Sequence, residues 1–250
     1  MKVTKITNIH NTTKCVSRRP QYIVWHYTAG TSSNQGKAKA IAEMFAKTNN
    51  AASADYIVDD GSVVQYNPDV KKRYCWSVGG TKYISMTTSA GGKYYGKCTN
   101  ANSISVELCS SKKNTKTLNA SDTDWYFTNE TIQNALWLAK KLSKKYPDAI
   151  HIMHHHVTGK VCPNPWTVNE KALNGWEEFK LNMTTPFKVK TTKEGVKERS
   201  RAGKKYFVIS KLKKGKKCII DEVRIVDNIK YGRRKKYKTW IKLKNTKQIK

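Results

Sequence analysis

The chain has no run of about 18 consecutive apolar residues, so no segment is expected to cross a membrane as a helix. Acidic side chains are scarce. Eighteen Asp and Glu stand against 48 Lys and Arg, a net charge of +30 over 250 residues. That imbalance says nothing about fold, but it implies attraction to polyanions such as nucleic acid, anionic membrane or the teichoic acids of a bacterial wall. The six Cys, at 15, 75, 98, 109, 162 and 218, are too few and too scattered to staple a small disulfide scaffold. If one of them holds a metal, five remain, and an odd number argues against complete pairing. The N-terminal MKVTKITNIHNTTK lacks an apolar core, so a secretory leader of the usual kind is not expected and synthesis in the cytoplasm is.

What is present suits a folded chain. Hydrophobic residues make up 38%, above the disordered range, and seven Trp with thirteen Tyr suggest ligand-handling surfaces. At about 150 residues per domain, the length allows one large domain with a small one. Charge and composition shift along the chain. Residues 184–250 carry 24 Lys and Arg against 5 acids, contain no His, and read as short strands separated by Gly and Lys. A linker is expected at Met183-Thr-Thr-Pro-Phe187, dividing the chain into domains 1–183 and 184–250.

The first part alternates strand and helix signals. Tyr22–Tyr27 is a β-rich run bounded by Pro20 and Gly30, and Ser103–Cys109 is another. Asp55–Asp60 and Val63–Tyr66 flank Gly61-Ser62 as a hairpin. Residues 38–47 have helical spacing. From Asn129, Ile132, Ala135, Leu136, Ala139 and Leu142 form a helical stripe, with Thr128 or Asn129 as cap and Pro147 as stop. Ile150–His156 is expected to be a short strand, Asn169–Asn182 a final helix, and residues 80–100 a long surface loop. Strands interleaved with helices predict an α/β domain, a mixed central sheet flanked by helices.

Four of the six His lie between 151 and 156, and Val157-Thr-Gly-Lys-Val-Cys-Pro163 follows at once. A His cluster with a Cys across a Gly turn has the composition of a zinc site; the plainer reading is a polar, half-exposed strand. A third ligand would come from His10, in a polar stretch, or His26, inside an apolar strand where an unpaired imidazole needs a partner.

Four blocks, in order, carry a family resemblance: Tyr22-Ile-Val-Trp-His-Tyr-Thr-Ala-Gly30, Ala52-Ser-Ala-Asp-Tyr-Ile-Val-Asp-Asp60, Asn100-Ala-Asn-Ser-Ile-Ser-Val-Glu-Leu108 and His154-His-His-Val-Thr-Gly-Lys-Val-Cys-Pro163. Together they resemble the zinc-dependent N-acetylmuramoyl-L-alanine amidases shared by phage endolysins, bacterial autolysins and peptidoglycan recognition proteins. The resemblance implies Zn2+ held by His26, His154 and Cys162, with His154 chosen because the family's ligand lies three residues before the Val-Thr-Gly-Lys block. It implies Glu107 as the catalytic carboxylate and Lys160 as an oxyanion stabiliser; their plainer readings are a salt-bridged strand Glu and a loop Lys. A Tyr that some members use is replaced here by Ala54. Trp76, Asn102 and Ser103 fall where substrate-binding residues are expected, or else serve core and turn. On strand alternation, His155 is expected to be structural or solvent-facing and His156 to lie near the metal without binding it. The implied activity is cleavage of the amide between N-acetylmuramic acid and the L-Ala of the stem peptide, as an endolysin acting at the wall after release. The alternatives are a non-catalytic peptidoglycan-binding protein or a zinc peptidase cutting another stem-peptide amide.

Phe187-Lys-Val-Lys190, Val196-Lys-Glu-Arg-Ser-Arg-Ala-Gly203, Leu212-Lys-Lys-Gly215 and Thr239-Trp-Ile-Lys-Leu243 resemble a degenerate bacterial SH3-like wall-binding barrel. Lys-Glu intervenes in the second block, and Thr239 stands where Gly is usual. The expected partners are therefore peptidoglycan and anionic wall polymers. Arg233-Arg-Lys-Lys236 alone would suggest nucleic acid, which is not expected beside a wall amidase.

Overall fold

A computed structural model describes residues 3–6, 9–47, 49, 51–83 and 87–250. It divides into two compact units, Met1–Leu173 and Asn174–Lys250. In chain order the first contains β1 (Val3–Lys5), β2 (Thr12–Lys14), β3 (Tyr22–Tyr27), α1 (Lys37–Phe45), β4 (Tyr56–Val58), β5 (Val63–Gln65), β6 (Arg73–Cys75) and β7 (Ser103–Leu108). It continues through β8 (Ser111–Lys112), β9 (Trp125–Tyr126), α2 (Asn129–Lys145), β10 (Ile150–Met153), α3 (His154–Thr158) and α4 (Asn164–Thr167). Six strands form a mixed sheet in the order β1-β5-β4-β7-β3-β10. The expected loop 80–100 includes residues 84–86, which lie outside the described residues.

β3 sits inside this sheet, parallel to β7 on one side and β10 on the other. Its Ile23, Val24 and Trp25 are fully buried, as a central parallel strand requires. α2 begins where Thr128 accepts a bond from the Thr131 amide at 3.1 Å, with Glu130 in its first turn and Lys144 and Lys145 in its last. The β4–β5 hairpin is fixed by buried Asp59. One carboxylate oxygen accepts from the Gly61 and Ser62 amides, and the other accepts from Gly36 and Ala38 at the start of α1. Gly61 is required for space, because a Cβ there would lie 2.5 Å from the Gln35 side chain.

The second unit opens with α5 (Leu173–Met183), followed by β11 (Phe187–Thr191), β12 (Val196–Arg199), β13 (Val208–Leu212), β14 (Lys217–Val226), β15 (Ile229–Arg234), β16 (Trp240–Lys242) and β17 (Thr246–Ile249). The strands form one antiparallel sheet in the order β13-β12-β16-β15-β14-β11-β17. α5 belongs to this unit. The Asn182 side chain donates to the Val223 carbonyl and accepts from the Val223 amide, both at 2.9 Å, and Glu178 accepts from the Ile225 amide. The units therefore part ahead of the 183–187 linker read from the sequence, because α5 is sealed onto β14.

A buried ion pair anchors the strands of this unit. Glu198 and Arg234 are each about 95% buried, and Ser210 and Thr239 also donate to the Glu198 carboxylate. Burial alone would raise the Glu198 pKa, but these hydrogen bonds and the Arg234 charge together hold it below its ordinary 4.5. A depressed carboxyl stabilises the fold above its ordinary range and loses that contribution as pH falls through it. Glu198→Ala leaves Arg234 buried without its counter-charge and is expected to destabilise the second unit by about 3 kcal/mol. Amide exchange across 187–249 measures this, and the wild type should lose the same protection selectively below pH 4.5.

Candidate metal centre and active site

The sheet brings three buried ligand types together. His26, near the end of β3, is 2% exposed; His154 opens α3 where β10 ends; Cys162 lies in the turn after α3. One donor atom from each lies within 4.8 Å of the other two. The His26 Nδ1 to Cys162 Sγ distance is 3.8 Å, and the His26 and His154 ring centroids are 4.6 Å apart. Neighbouring ligand atoms around a tetrahedral zinc stand about 3.5 Å apart, so the cluster has the right scale.

Three polar atoms at this place lack hydrogen-bond partners among the described residues. His26 Nε2, His154 Nε2 and Glu107 Oε2 are all buried without a hydrogen bond among the described residues. Each such atom costs about 1–3 kcal/mol unless something satisfies it. Burial, then the neighbouring His154 and Lys160, hold His26 well below the ordinary histidine range. Burial brings His154 down to about 3. Both imidazoles are therefore neutral, the form that binds a metal. Burial, reinforced by Glu107, pushes the Cys162 thiol up. Two neutral imidazoles and a sulfur suit zinc by donor type.

Glu107 pairs in register with His26 across the parallel β3–β7 ladder, so both side chains leave the same face. Burial raises its pKa to about 7, while the Lys160 charge pulls the other way. Lys160 is exposed, yet its charge acts on His26, His154, Glu107 and Cys162. The five residues predicted for metal and chemistry thus converge on one place.

The sequence profile of the family described as N-acetylmuramoyl-L-alanine amidase matches residues 16–165. The chain belongs to this family. It is 28% identical over 197 residues to the N-acetylmuramoyl-L-alanine amidase CwlL of Bacillus licheniformis, an alignment covering 77% of this chain and 48% of that protein. The chain thus spans about half the length of the curated relative it matches. Among solved structures, the catalytic domain of XlyA superposes with a TM-score of 0.50 at 23% identity, covering 73% of this chain and 99% of that one. PlyL gives the same score and identity, covering 74% and 98%. These likenesses concern the fold.

Several details of the amidase unit differ from the sequence reading. The strand expected over 150–156 ends at Met153, and His154–Thr158 is a single helical turn closed by Gly159 at φ +82°. Strand alternation therefore does not apply to His155 and His156. The His156 Nδ1 accepts from the Met153 amide at 3.0 Å and caps that turn. Ser103 is buried and its hydroxyl donates to the Thr99 carbonyl, the turn role left open for it in the sequence. Asn102 braces the turn before β7, accepting from the Thr99 amide and donating to the Lys97 carbonyl. The partly exposed Trp76 donates its indole N–H to Thr13 beside the β2–β6 ribbon.

His155 was not singled out for the site, and it is fully buried there. Its Nδ1 lies 2.8 Å from the Lys160 carbonyl, which can only accept, so Nδ1 carries the proton. Its Nε2 then accepts from the Thr88 hydroxyl at 2.7 Å. Its backbone amide donates to the Cys162 carbonyl, and its own carbonyl accepts from the Gly92 amide. One residue thus clamps the Cys162 turn to the 87–98 segment. Only the number of adjacent His hinted at this in the sequence. His155→Ala is expected to cut amide protection over 88–98 and 158–163 by about 2 kcal/mol, for two lost hydrogen bonds. Hydrogen-exchange mass spectrometry reads it, with His155→Asn restoring the Lys160 side.

Proposed function

We propose that the protein is a zinc-dependent peptidoglycan hydrolase that cleaves the amide between N-acetylmuramic acid and L-Ala, acting in cell-wall lysis as an endolysin. The observation that carries this reading is the buried His26–His154–Cys162 cluster beside a carboxylate of raised pKa, in a chain of the amidase family. His26, His154 and Cys162 would hold the zinc. A bound zinc ion supplies a Lewis acid that polarises the scissile carbonyl and acidifies water.

Glu107 takes a proton from the attacking water and returns it to the leaving amine. A carboxyl near pKa 7 can do both at neutral pH. Lys160, exposed beside the cluster, offers its ammonium to the oxyanion that develops on the carbonyl. His155, fully buried, holds the loop that carries Lys160 and Cys162. The second unit is read as the SH3-like wall-binding module, with anionic wall polymer as its partner. Among the described residues no helix is long and apolar enough to cross a membrane.

Mass spectrometry of digested peptidoglycan tests the reaction. Release of intact stem peptides with free L-Ala amines is expected. New reducing sugar ends, or cuts within the stem, would replace this reading with a glycosidase or a peptidase. Glu107→Gln should lower kcat by about 10²–10⁴-fold while zinc content stays unchanged. Near-normal turnover in that variant removes Glu107 from the mechanism.

A further inference from the structure

The second unit has a cleft of about 630 Å³ between the start of β14 and the turn from β15 to β16. Its apolar surface comes from Ile219 and Tyr237, each about half exposed. Around them stand Lys216, Lys217, Lys235 and Lys236, and none of these four is in an ion pair among the described residues. The nearby acids are already engaged. Asp221 holds Arg233 and Lys238, Glu222 holds Arg224 and Arg233, and Glu198 holds Arg234.

The cleft is built on a rigid support. Arg234 also lines it, is 5% exposed, and is locked to the Glu198 carboxylate. Its guanidinium stands 4.4 Å from the Tyr237 ring centroid and braces the ring. Its buried Nε has no hydrogen-bond partner among the described residues. The turn itself is fixed by the Lys235 amide on the Ile219 carbonyl at 2.9 Å and the Lys238 amide on the Arg234 carbonyl at 2.8 Å. Lys236 Nζ lies 5.2 Å from the Tyr237 ring centroid, so the ring and the cations are contiguous. A concave surface with a braced aromatic, an aliphatic neighbour and four ammonium groups outside any ion pair among the described residues suits a ligand with phosphates and hydrocarbon faces.

We propose that this cleft binds a phosphodiester polymer of polyol or sugar units, its phosphates on the lysines and its C–H faces on Tyr237 and Ile219. The choice of polymer rests on the reading of the first unit as a wall amidase. Charge elsewhere on the chain adds diffuse attraction, whereas this cleft pairs the cations with an exposed aromatic braced by a buried arginine.

The test is titration calorimetry of the full chain with synthetic poly(glycerol phosphate) and with a thymidine oligonucleotide of equal charge. Tyr237→Ala, and separately K235Q with K236Q, should weaken binding of the polyol polymer by about tenfold. K193Q with K197Q removes equal charge from a second basic hollow of the same unit and should change it by less than about twofold. Equal losses in all variants would mean diffuse attraction and overturn the proposal. So would tighter binding of the oligonucleotide with the same dependence on Tyr237. Hydrolysis of polymer-stripped peptidoglycan is measured alongside. Hydrolysis without localised binding sinks the cleft alone, and localised binding without hydrolysis sinks the amidase reading alone.

Discussion

Two imidazoles and a carboxylate buried with unmet polar atoms are costly unless something enters to satisfy them, and the first unit is arranged around that demand. His26 and Glu107 are side by side because β3 and β7 run parallel and in register. His154 joins them because β10 flanks β3 on its other edge, with Met153 opposite Trp25, and the chain then turns at once into α3. Cys162 is delivered by the turn that follows. A slip of one residue between β3 and β7 would put His26 and Glu107 on opposite faces of the sheet, and a slip between β3 and β10 would displace His154.

The surrounding polar network keeps this arrangement stiff. His155 ties the Cys162 turn to Thr88 and Gly92, and His156 caps the helical turn that begins with His154. Three consecutive His thus stand in three different settings: His154 in the buried His–His–Cys cluster, His155 as clamp and His156 as cap. The fourth, His151, accepts from the Trp25 indole at 3.1 Å and meets Ser143 at 2.9 Å, which fixes β10 against the core. In the second unit the Glu198–Arg234 pair has a comparable role. It ties β12 to β15 and leaves the Arg234 side chain as the support of an exposed tyrosine.

Much of this was legible in the residues. The β-rich runs 22–27 and 103–109, the Asp-Gly hairpin and the Thr128-capped helix all appear where local propensity and periodicity put them, since no tertiary contact overrides them. The family resemblance picked out His26, Glu107, His154, Lys160 and Cys162, and these five are drawn together. The His run was not legible by periodicity. Whether residues 154–156 continue a strand depends on whether β3 still lies alongside, and β10 pairs with it only as far as Met153. Asn102 and Ser103 carry either a substrate or a turn reading in the sequence, and their bonds to Thr99 and Lys97 belong to the turn before β7. The attachment of α5 to the second unit rests on Asn182 and Glu178 reaching a strand some forty residues later, which no local pattern records.

The proposed chemistry of the first unit depends on His26, His154 and Cys162 together holding a metal. Zinc content and X-ray absorption of the purified full chain test it most directly. One tightly held zinc per chain is expected, with one sulfur and two imidazole nitrogens among its neighbours, and loss of that zinc in a folded Cys162→Ala variant. An active chain with no bound zinc, or zinc with no sulfur neighbour, would contradict it.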